Sequence, residues 1–534
     1  MRYNPDMLKT SWKTLIVAAV GLLALALLLA WASSGFRELA GWGNLLAALL
    51  LAGGLLWAGL AALKNEGLPR WLVWLTVGAA LLRLAAGVLW YLALPVWGYD
   101  TEVQQAGYVM EDAFRRDTAA WELARSGQPL TKAFTGYRAA DQYGGLLFFS
   151  AAVYRYLGGK THLPLQMVVF TAALSALAVP FTWAFVRRLF GERAARWAAW
   201  GMALYPEAVL LGSSQMREAF FMPLAAAALY GLARARDDGG RRELAWVLFP
   251  LVIGLPLSPP LVGIMLGLLI LVGLGMDDWR VLRNWRLWAA LGGLAVFAVV
   301  ALWLGWGKIA PRISADQFDS PLAMITYWVQ FSARWQATLS RNASGWLQKI
   351  FDSTPEWFDL PFLLAYGVTR PLLPAQLTAW GPPLWRATGI WRGLGWTLLL
   401  PLLVYAPVRG LRTAERRNLL IGLSLAVWLG ILIATFWGGG DQWDNPRYRV
   451  SFSSLQIALA AWVLAAQARQ PDPWLRRVLV AVLLSLAWLL PWYLRRYTNF
   501  DQIFGWAVID LFKLLGLAAA TAILYVIWDL AGET

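Results

Sequence analysis

The chain has 534 residues, of which 59% are hydrophobic and only 14% charged, and its formal net charge is +15. Soluble globular proteins carry about a quarter of charged residues, so this composition excludes a soluble protein. The chain contains no cysteine, which excludes a disulfide framework and chemistry based on thiolates. In so apolar a chain the positive charge is a topology signal, and no nucleic-acid partner is needed to explain it.

Long apolar blocks recur along the chain and predict membrane-spanning helices. Each is about 16 to 24 residues long, and a helix of that length crosses about 30 Å of hydrocarbon. The clearest blocks are residues 14–31, 71–94, 287–304 and 418–436. Block 244–276 contains Pro256, Pro259 and Pro260, which break a helix, so we expect two short bent helices there. We predict an all-α polytopic membrane protein with about 12–14 transmembrane helices.

The distribution of Lys and Arg predicts the topology. These residues are dense in six short connections, which we assign to the cytoplasm: 64–70, 187–196, 233–243, 277–286, 409–417 and 469–477. The two long connections, 95–163 and 307–390, are poorer in Lys and Arg and are predicted to be large extracytoplasmic loops. Segment 143–156 is then an amphipathic or re-entrant piece at the outer surface. We expect a multi-pass protein of the plasma (inner) membrane with both termini in the cytoplasm and any chemistry outside.

The chain is predicted to form a single membrane domain, residues 1–534. It begins with an additional helical hairpin, 14–63. A core, 71–306, follows and contains the first outer loop, 95–163. The second outer loop, 307–390, precedes the C-terminal helices, 391–534.

The first outer loop contains a predicted amphipathic helix, 112–126. Ala113, Ala120, Leu123 and Ala124 recur there at helical spacing. We expect the helix to lie on the membrane with this stripe inward and with Asp112 at its start.

Carboxylates cluster around the start of this helix. Asp112 would face water, where it can take a proton from a hydroxyl nucleophile as a general base. Further candidates are Glu111 and Asp117, and then Asp100 and Glu102. The alternative is that these acids form a solvated face whose charge is balanced by neighbouring arginines.

A second polar segment, 213–218, is predicted to be the outer tip between two apolar helices. It ends in Arg217 and Glu218, where lipid gives way to water. Adjacent opposite charges can simply mark a helix end, since Glu218 is favourable at a helix N-terminus. The alternative is that both line a cavity that contains Asp112.

A third polar segment, 438–449, carries Arg447, Tyr448 and Arg449 directly before an apolar block. Arginine on the outer side opposes the usual charge bias, so we expect an anionic partner. Two guanidinium groups at the membrane surface suit a phosphate, which accepts paired hydrogen bonds. The alternative is that both arginines extend toward lipid headgroups.

Two single residues stand out. Arg83 lies inside an apolar block, and a charge within the membrane is expensive enough to suggest a function. His162, the one histidine, is predicted in an outer loop. One imidazole cannot form a zinc site alone, so we expect a solvated loop histidine or a member of a site completed by carboxylates of the first loop.

The order of these motifs resembles the GT-C superfamily of integral-membrane glycosyltransferases, near bacterial members related to protein O-mannosyltransferases and aminoarabinose transferases, including the dolichyl-phosphate-mannose transferase type. Asp112-Ala113, followed by Asp117 and Gly127, is similar to that family's acidic motif and amphipathic helix. The likeness continues through segments 189–196, 203–206 and 214–218, and returns at 446–449. The chain departs from the family's paired Asp-Glu, since Glu111 precedes Asp112 and Ala113 follows it.

The resemblance implies transfer of a sugar from a polyprenyl-phosphate donor to an acceptor at the outer face, usually with inversion. Asp112 would be the base, Arg217 or Glu218 would shape the donor site, and Arg447 or Arg449 would hold the lipid phosphate. Some relatives use a divalent cation such as Mg or Mn. The acceptor, a glycan, lipid or protein, is not predicted, and membrane lipids are the other expected partners. The competing hypothesis is a transporter or flippase of lipid-linked sugars, which should carry repeated halves and polar sites at the membrane midplane.

Overall fold

A computed structural model describes residues 12–238, 245–276, 345–413, 415–438, 444–497 and 511–532, with a few isolated positions between 300 and 323. Most of the predicted block 287–304 and the first half of loop 307–390 therefore lie outside the described residues.

The regular structure of the described residues is helical. The first thirteen helices are α1 Trp12–Ser33, α2 Trp42–Ala62, α3 Arg70–Trp97, α4 Glu102–Gln105, α5 Glu111–Arg125, α6 Gly145–Leu157, α7 Leu165–Ala176, α8 Ala178–Phe190, α9 Glu192–Leu204, α10 Pro206–Gly212, α11 Glu218–Asp238, α12 Ala245–Gly254 and α13 Pro259–Met276. The later helices are Gly345–Ser353, Glu356–Val368, Leu373–Thr378, Pro383–Arg412, Arg417–Gly438, Asp444–Val450, Ser453–Gln467, Pro473–Tyr497 and Leu511–Ala531.

Eight helical segments of the described chain are long and apolar enough to cross a membrane. They are Trp42–Ala62, Arg70–Trp97, Leu165–Phe190, Pro259–Met276, Pro383–Arg412, Arg417–Gly438, Pro473–Arg495 and Lys513–Ala531. The pair Asp444–Val450 and Ser453–Gln467 adds a ninth if it is one span bent by 77°. The prediction of an all-α polytopic membrane protein is confirmed. The total of 12–14 crossings stays a prediction, because it includes segments outside the described ranges.

The predicted helix breaks are found in the structure. α12 ends at Gly254 and α13 begins at Pro259, so the proline-rich centre of block 244–276 separates two helices. Segment 143–156 forms α6, which has 13 residues. Such a helix is about 20 Å long, too short to cross about 30 Å of hydrocarbon.

The chain divides into two compact units. The first consists of residues 1–267, 371–406 and 450–534, and the second of residues 268–370 and 407–449. Within the first unit, the continuous segment Leu165–Phe190 is the central helix, because 94% of its apolar window is buried. The predicted hairpin 14–63 is present as α1 and α2, and α2 packs against α7.

Arg83 occupies a structural position between α3 and the break that separates α9 from α10. Its guanidinium donates hydrogen bonds to the carbonyl oxygens of Met202 (3.0 Å) and Ala208 (3.3 Å), and of Ala79 in its own helix (3.1 Å). In a continuous helix the Met202 carbonyl would accept from the residue four positions later, which is Pro206 and has no N–H. Arg83 supplies the missing donor. The suggestion of a direct function for this charge is therefore corrected to a structural role.

A buried charge pair in the same region was not predicted from the sequence. Arg392 Nε lies 2.8 Å from Glu207 Oε1, and the two side chains are 2% and 1% exposed. Glu207 stands at the start of α10, directly after the break, and Arg392 lies in helix Pro383–Arg412. Each charge gives the other a partner within apolar surroundings, as buried charges require.

Arg83→Met should destabilise the first unit, because the Met202 and Ala208 carbonyls then lose a charged donor within an apolar environment. We expect a loss of about 3 kcal/mol, seen as a lower midpoint of thermal unfolding in detergent. Leu82→Met, at an exposed position next to it, is the matched control and should leave the midpoint unchanged. Equal midpoints for the two variants would contradict the role given to Arg83.

Candidate active site

Helix α5 fixes the geometry of the first outer loop. Its apolar stripe is formed as predicted, since Ala113, Ala120 and Leu123 are at most 2% exposed. The stripe packs against α6 and the turn Leu130–Phe134. The stripe is thus covered by protein, and the expectation that the helix lies on the membrane stays a prediction.

Asp112 lies at the exposed beginning of α5, where its carboxylate reaches solvent. Glu111, the neighbouring candidate, is 60% exposed and pairs with Arg115 one turn along the helix. Glu111 therefore resembles the solvated, balanced face, and Asp112 is the other exposed carboxylate at this helix start.

Asp141 is a site residue that the sequence analysis missed. Its side chain has no exposed surface, and it lies 2.7 Å from Arg217 Nη2 and 3.7 Å from Arg116 Nε. Its other oxygen accepts the backbone N–H of Leu147 at 3.0 Å, which ties the loop to the first turn of α6. One buried carboxylate thus joins α5, the loop before α6 and the tip 213–218.

Two glycines allow this loop to pass so close to its neighbours. Gly144 has φ +80°, a conformation that side chains disfavour, and a Cβ there would lie 2.5 Å from the carbonyl oxygen of Ala133. At Gly145 a Cβ would lie 2.2 Å from the carbonyl oxygen of Pro256. Larger residues at either position would displace Asp141.

The tip 213–218 is held against α5 and α3. Arg116 Nη1 donates to the carbonyl oxygen of Gln215 at 3.1 Å, and Trp90 Nε1 donates to Ser213 Oγ at 3.0 Å. Burial lowers the pKa of Arg116 to about 10, and the charges of Asp141, Asp112 and Glu218 oppose that shift. Arg116 is therefore charged at neutral pH. Arg116, one turn after Asp112 in α5, thus ties the beginning of this helix to the tip 213–218.

Arg217 and Glu218 end the tip, and Arg217 pairs with the buried Asp141. The Arg217 guanidinium also lies over the ring of Tyr143, 4.9 Å from its centroid, and its side chain is 17% exposed. Glu218 is 2% exposed and is the first residue of α11. The adjoining cavity, between α3, α5 and the tip, has a volume of about 30 Å³. This is room for about one water.

Asp117, the residue after Arg116 in α5, belongs to a separate buried network. Its carboxylate accepts hydrogen bonds from the hydroxyls of Tyr108 and Tyr154, each at 2.5 Å, and lies 2.9 Å from His162 Nε2. Burial, followed by the charge of Asp117, raises the pKa of Tyr108, so that hydroxyl stays protonated and donates. At 1% exposure, Asp117 is placed to hold the loop together.

His162 is not the solvated loop residue expected from the sequence. It is 26% exposed and stacks on Trp121 with a centroid distance of 5.1 Å. Its contact with Asp117 explains the difference, because a buried carboxylate needs donors. Asp100 and Glu102 lie apart from this network, exposed at the start of α4, where Asp100 accepts from Gln105 Nε2 at 3.4 Å.

Arg447, Tyr448 and Arg449 lie in helix Asp444–Val450. All three residues belong to the second unit. Arg447 Nη1 is 3.3 Å from Asp444, and its guanidinium lies over the Tyr448 ring, 5.4 Å from the centroid. Arg449 is 1% exposed and donates to the carbonyl oxygen of Arg370 at 3.0 Å. The part they play in binding phosphate stays a prediction.

No three His, Cys, Asp or Glu side chains within the described ranges are grouped so that they could hold a metal ion. Asp117 and His162 bind each other, and the Asp117 carboxylate also accepts hydrogen bonds from Tyr108 and Tyr154. The use of Mg or Mn therefore stays a prediction of the family resemblance.

Asp141→Asn should destabilise the first unit by about 3 to 5 kcal/mol, because Arg116 and Arg217 then share a buried site without their counter-charge. Thermal unfolding of Asp141→Asn, Arg217→Gln and the double variant measures the coupling. We expect the double variant to be less destabilised than the sum of the single variants. Glu122→Gln, at an exposed position of α5, is the control. Additive losses would contradict the network.

Comparison with known proteins gives one family match. Residues 146–306 match the family model described as dolichyl-phosphate-mannose-protein mannosyltransferase. This region includes Arg217 and Glu218, whereas Arg83, Asp112 and Asp141 lie before it. None of the curated proteins matches the chain.

A solved structure, the archaeal oligosaccharyltransferase AglB from Archaeoglobus fulgidus in complex with an inhibitory peptide and a dolichol-phosphate, is similar with 15% sequence identity and a TM-score of 0.37. The match covers 86% of this chain but only 54% of that one, so the chain spans about half of that protein's length. A TM-score this low does not establish a shared fold. The family match is the informative finding, and over residues 146–306 it confirms the predicted resemblance to GT-C membrane glycosyltransferases.

Proposed function

We propose that this chain is an integral-membrane glycosyltransferase that moves a sugar from a polyprenyl-phosphate donor to a hydroxyl acceptor at the extracytoplasmic face. The observation that carries the proposal is the placement of Asp112. It is an exposed carboxylate at the start of a helix that Arg116, one turn later, holds against the charged tip that the family match includes.

The proposed reaction is a displacement at the anomeric carbon of the donor. Asp112 takes the proton of the acceptor hydroxyl, the acceptor oxygen bonds to the anomeric carbon, and the bond from that carbon to the phosphate oxygen breaks. The polyprenyl phosphate leaves with the bonding electrons, and the sugar's configuration inverts. A base positioned in this way typically contributes a factor of 10² to 10⁴ in rate.

Negative charge grows on the phosphate oxygen as the donor's bond breaks. Arg217 is the charged donor beside Asp112's helix, and part of its side chain reaches the surface. An arginine that binds the departing phosphate more tightly than the intact donor lowers the barrier. Glu218, almost fully buried, would shape the site without entering the reaction. No step is assigned to a metal.

Asp112→Asn should lower sugar transfer by at least about a hundredfold while leaving donor binding intact, because the amide cannot take the proton. The measurement uses purified protein, a polyprenyl-phosphate hexose and a panel of hydroxyl acceptors, with donor binding measured separately. Glu122→Gln removes an exposed carboxylate from the same helix and should retain full activity.

Glu111→Gln decides between the two adjacent acids. Its pairing with Arg115 predicts near wild-type transfer. Full activity of Asp112→Asn together with loss in Glu111→Gln would move the base to Glu111. Full activity in both variants would remove this helix from the chemistry.

We further propose that Arg447 contributes to binding the donor's lipid phosphate, an assignment that rests on the motif resemblance. Arg447→Gln should raise the KM for the donor about tenfold with little change in kcat. The matched control is Arg417→Gln. It removes an exposed arginine at the start of helix Arg417–Gly438, the helix that precedes the one carrying Arg447. The same KM in both variants would reject the assignment.

The competing function is transport of a lipid-linked sugar across the membrane. The buried pair of Glu207 and Arg392 is the kind of intramembrane polar group that such a protein needs. The two charges nevertheless bind each other, which favours a structural role.

Proteoliposomes loaded with labelled donor distinguish a transferase from a flippase. A flippase moves the donor across the membrane without an acceptor, and Asp112→Asn does not change the rate of that movement.

A further inference from the structure

The surface of α9 carries a basic and aromatic stripe that the proposed reaction does not use. Arg193, Arg196, Trp197 and Trp200 recur at helical spacing and are all exposed. The opposite face is built of buried small residues, Ala194, Ala195, Ala198, Ala199 and Ala203. α9 therefore packs into the protein through alanines and presents two arginines and two tryptophans outward.

The stripe borders a cavity of about 670 Å³. Its lining residues are Glu192, Arg193, Arg196, Trp197, Trp200 and Ala468. A volume of this size is within the range of small-molecule sites and far exceeds a single phosphate ion. The cavity follows α9 from Glu192 to Trp200, next to connection 187–196, which the distribution of Lys and Arg predicts to be cytoplasmic. The tip 213–218 follows α10, beyond the break at Tyr205.

The charge balance of this cavity is positive. Glu192 is its one acidic lining residue, and it already lies 3.6 Å from Arg187 Nε. Arg196 lies over the ring of Trp71, 5.9 Å from its centroid, a contact that leaves its charge uncompensated. Within the described part of the chain, neither Arg193 nor Arg196 forms an ion pair with a carboxylate. An anionic ligand would supply the missing counter-charge.

The tryptophans identify the class of ligand. Trp197 is 51% and Trp200 47% exposed, and each follows one of the two arginines by four residues, about one turn along α9. Tryptophan is favoured where headgroups meet hydrocarbon, and basic pockets between helices on the cytoplasmic side bind anionic lipid headgroups. We infer that this cavity is a binding site for an anionic phospholipid, with its phosphate on Arg193 and Arg196 and its glycerol and upper acyl chain against Trp197 and Trp200.

The test is native mass spectrometry of the full-length protein, released from mixed phosphatidylglycerol and phosphatidylcholine nanodiscs. Wild-type protein should retain phosphatidylglycerol in preference to phosphatidylcholine, and Arg193→Gln/Arg196→Gln should reduce that preference roughly tenfold. The matched control is Arg236→Gln/Arg412→Gln, which removes the same charge from two exposed arginines in other connections predicted to be cytoplasmic. The control should keep the preference.

Two further variants keep the test decisive if loss of charge impairs folding. Arg193→Lys/Arg196→Lys retains the charge and should retain most of the bound phosphatidylglycerol. Trp197→Ala/Trp200→Ala retains both arginines and should still weaken lipid retention. Added inorganic phosphate should not displace the lipid, since it lacks the acyl chain. Equal losses in the glutamine pair and its control, equal retention of the two lipids by wild type, or displacement by phosphate would overturn the proposal.

Discussion

A buried carboxylate between two guanidinium groups holds the candidate site together. Asp141 has no exposed surface and faces Arg116 of α5 and Arg217 of the tip. Removing a charge from water costs several kcal/mol, and a close partner of opposite sign offsets that cost only when it is held in place. The pairing therefore fixes α5, the loop before α6 and the tip 213–218 relative to one another, although they are far apart in sequence.

Two adjacent residues of α5 anchor it on different sides. Arg116 binds Asp141 and the Gln215 carbonyl, while Asp117 binds two tyrosine hydroxyls and His162. These contacts leave the beginning of the helix facing solvent, where Asp112 lies. The structure thus separates buried acids that fix the geometry from an exposed acid that can meet a substrate. This division supports the proposal that Asp112 is the base.

Much of the fold could be predicted from the sequence, because apolar block length and proline position are local signals. The contacts of Arg83 could not, since they depend on two carbonyls more than a hundred residues away, and only one of these, at Met202, is left without a helical donor by a proline. Asp141 was missed because a single acid in a glycine-containing loop looks like an ordinary turn residue. The apolar stripe of α5 was predicted, but its contact with α6 was not. A helix that packs on protein shows the same apolar spacing as one that lies on lipid.

The central claim is that the acid at the start of α5 and the charged tip form one substrate site. Its most direct test is an experimental structure of the Asp112→Asn protein with a polyprenyl-phosphate hexose bound. The account predicts that the sugar lies against position 112 and that the phosphate contacts Arg217. A donor headgroup bound elsewhere, touching neither position, would contradict it.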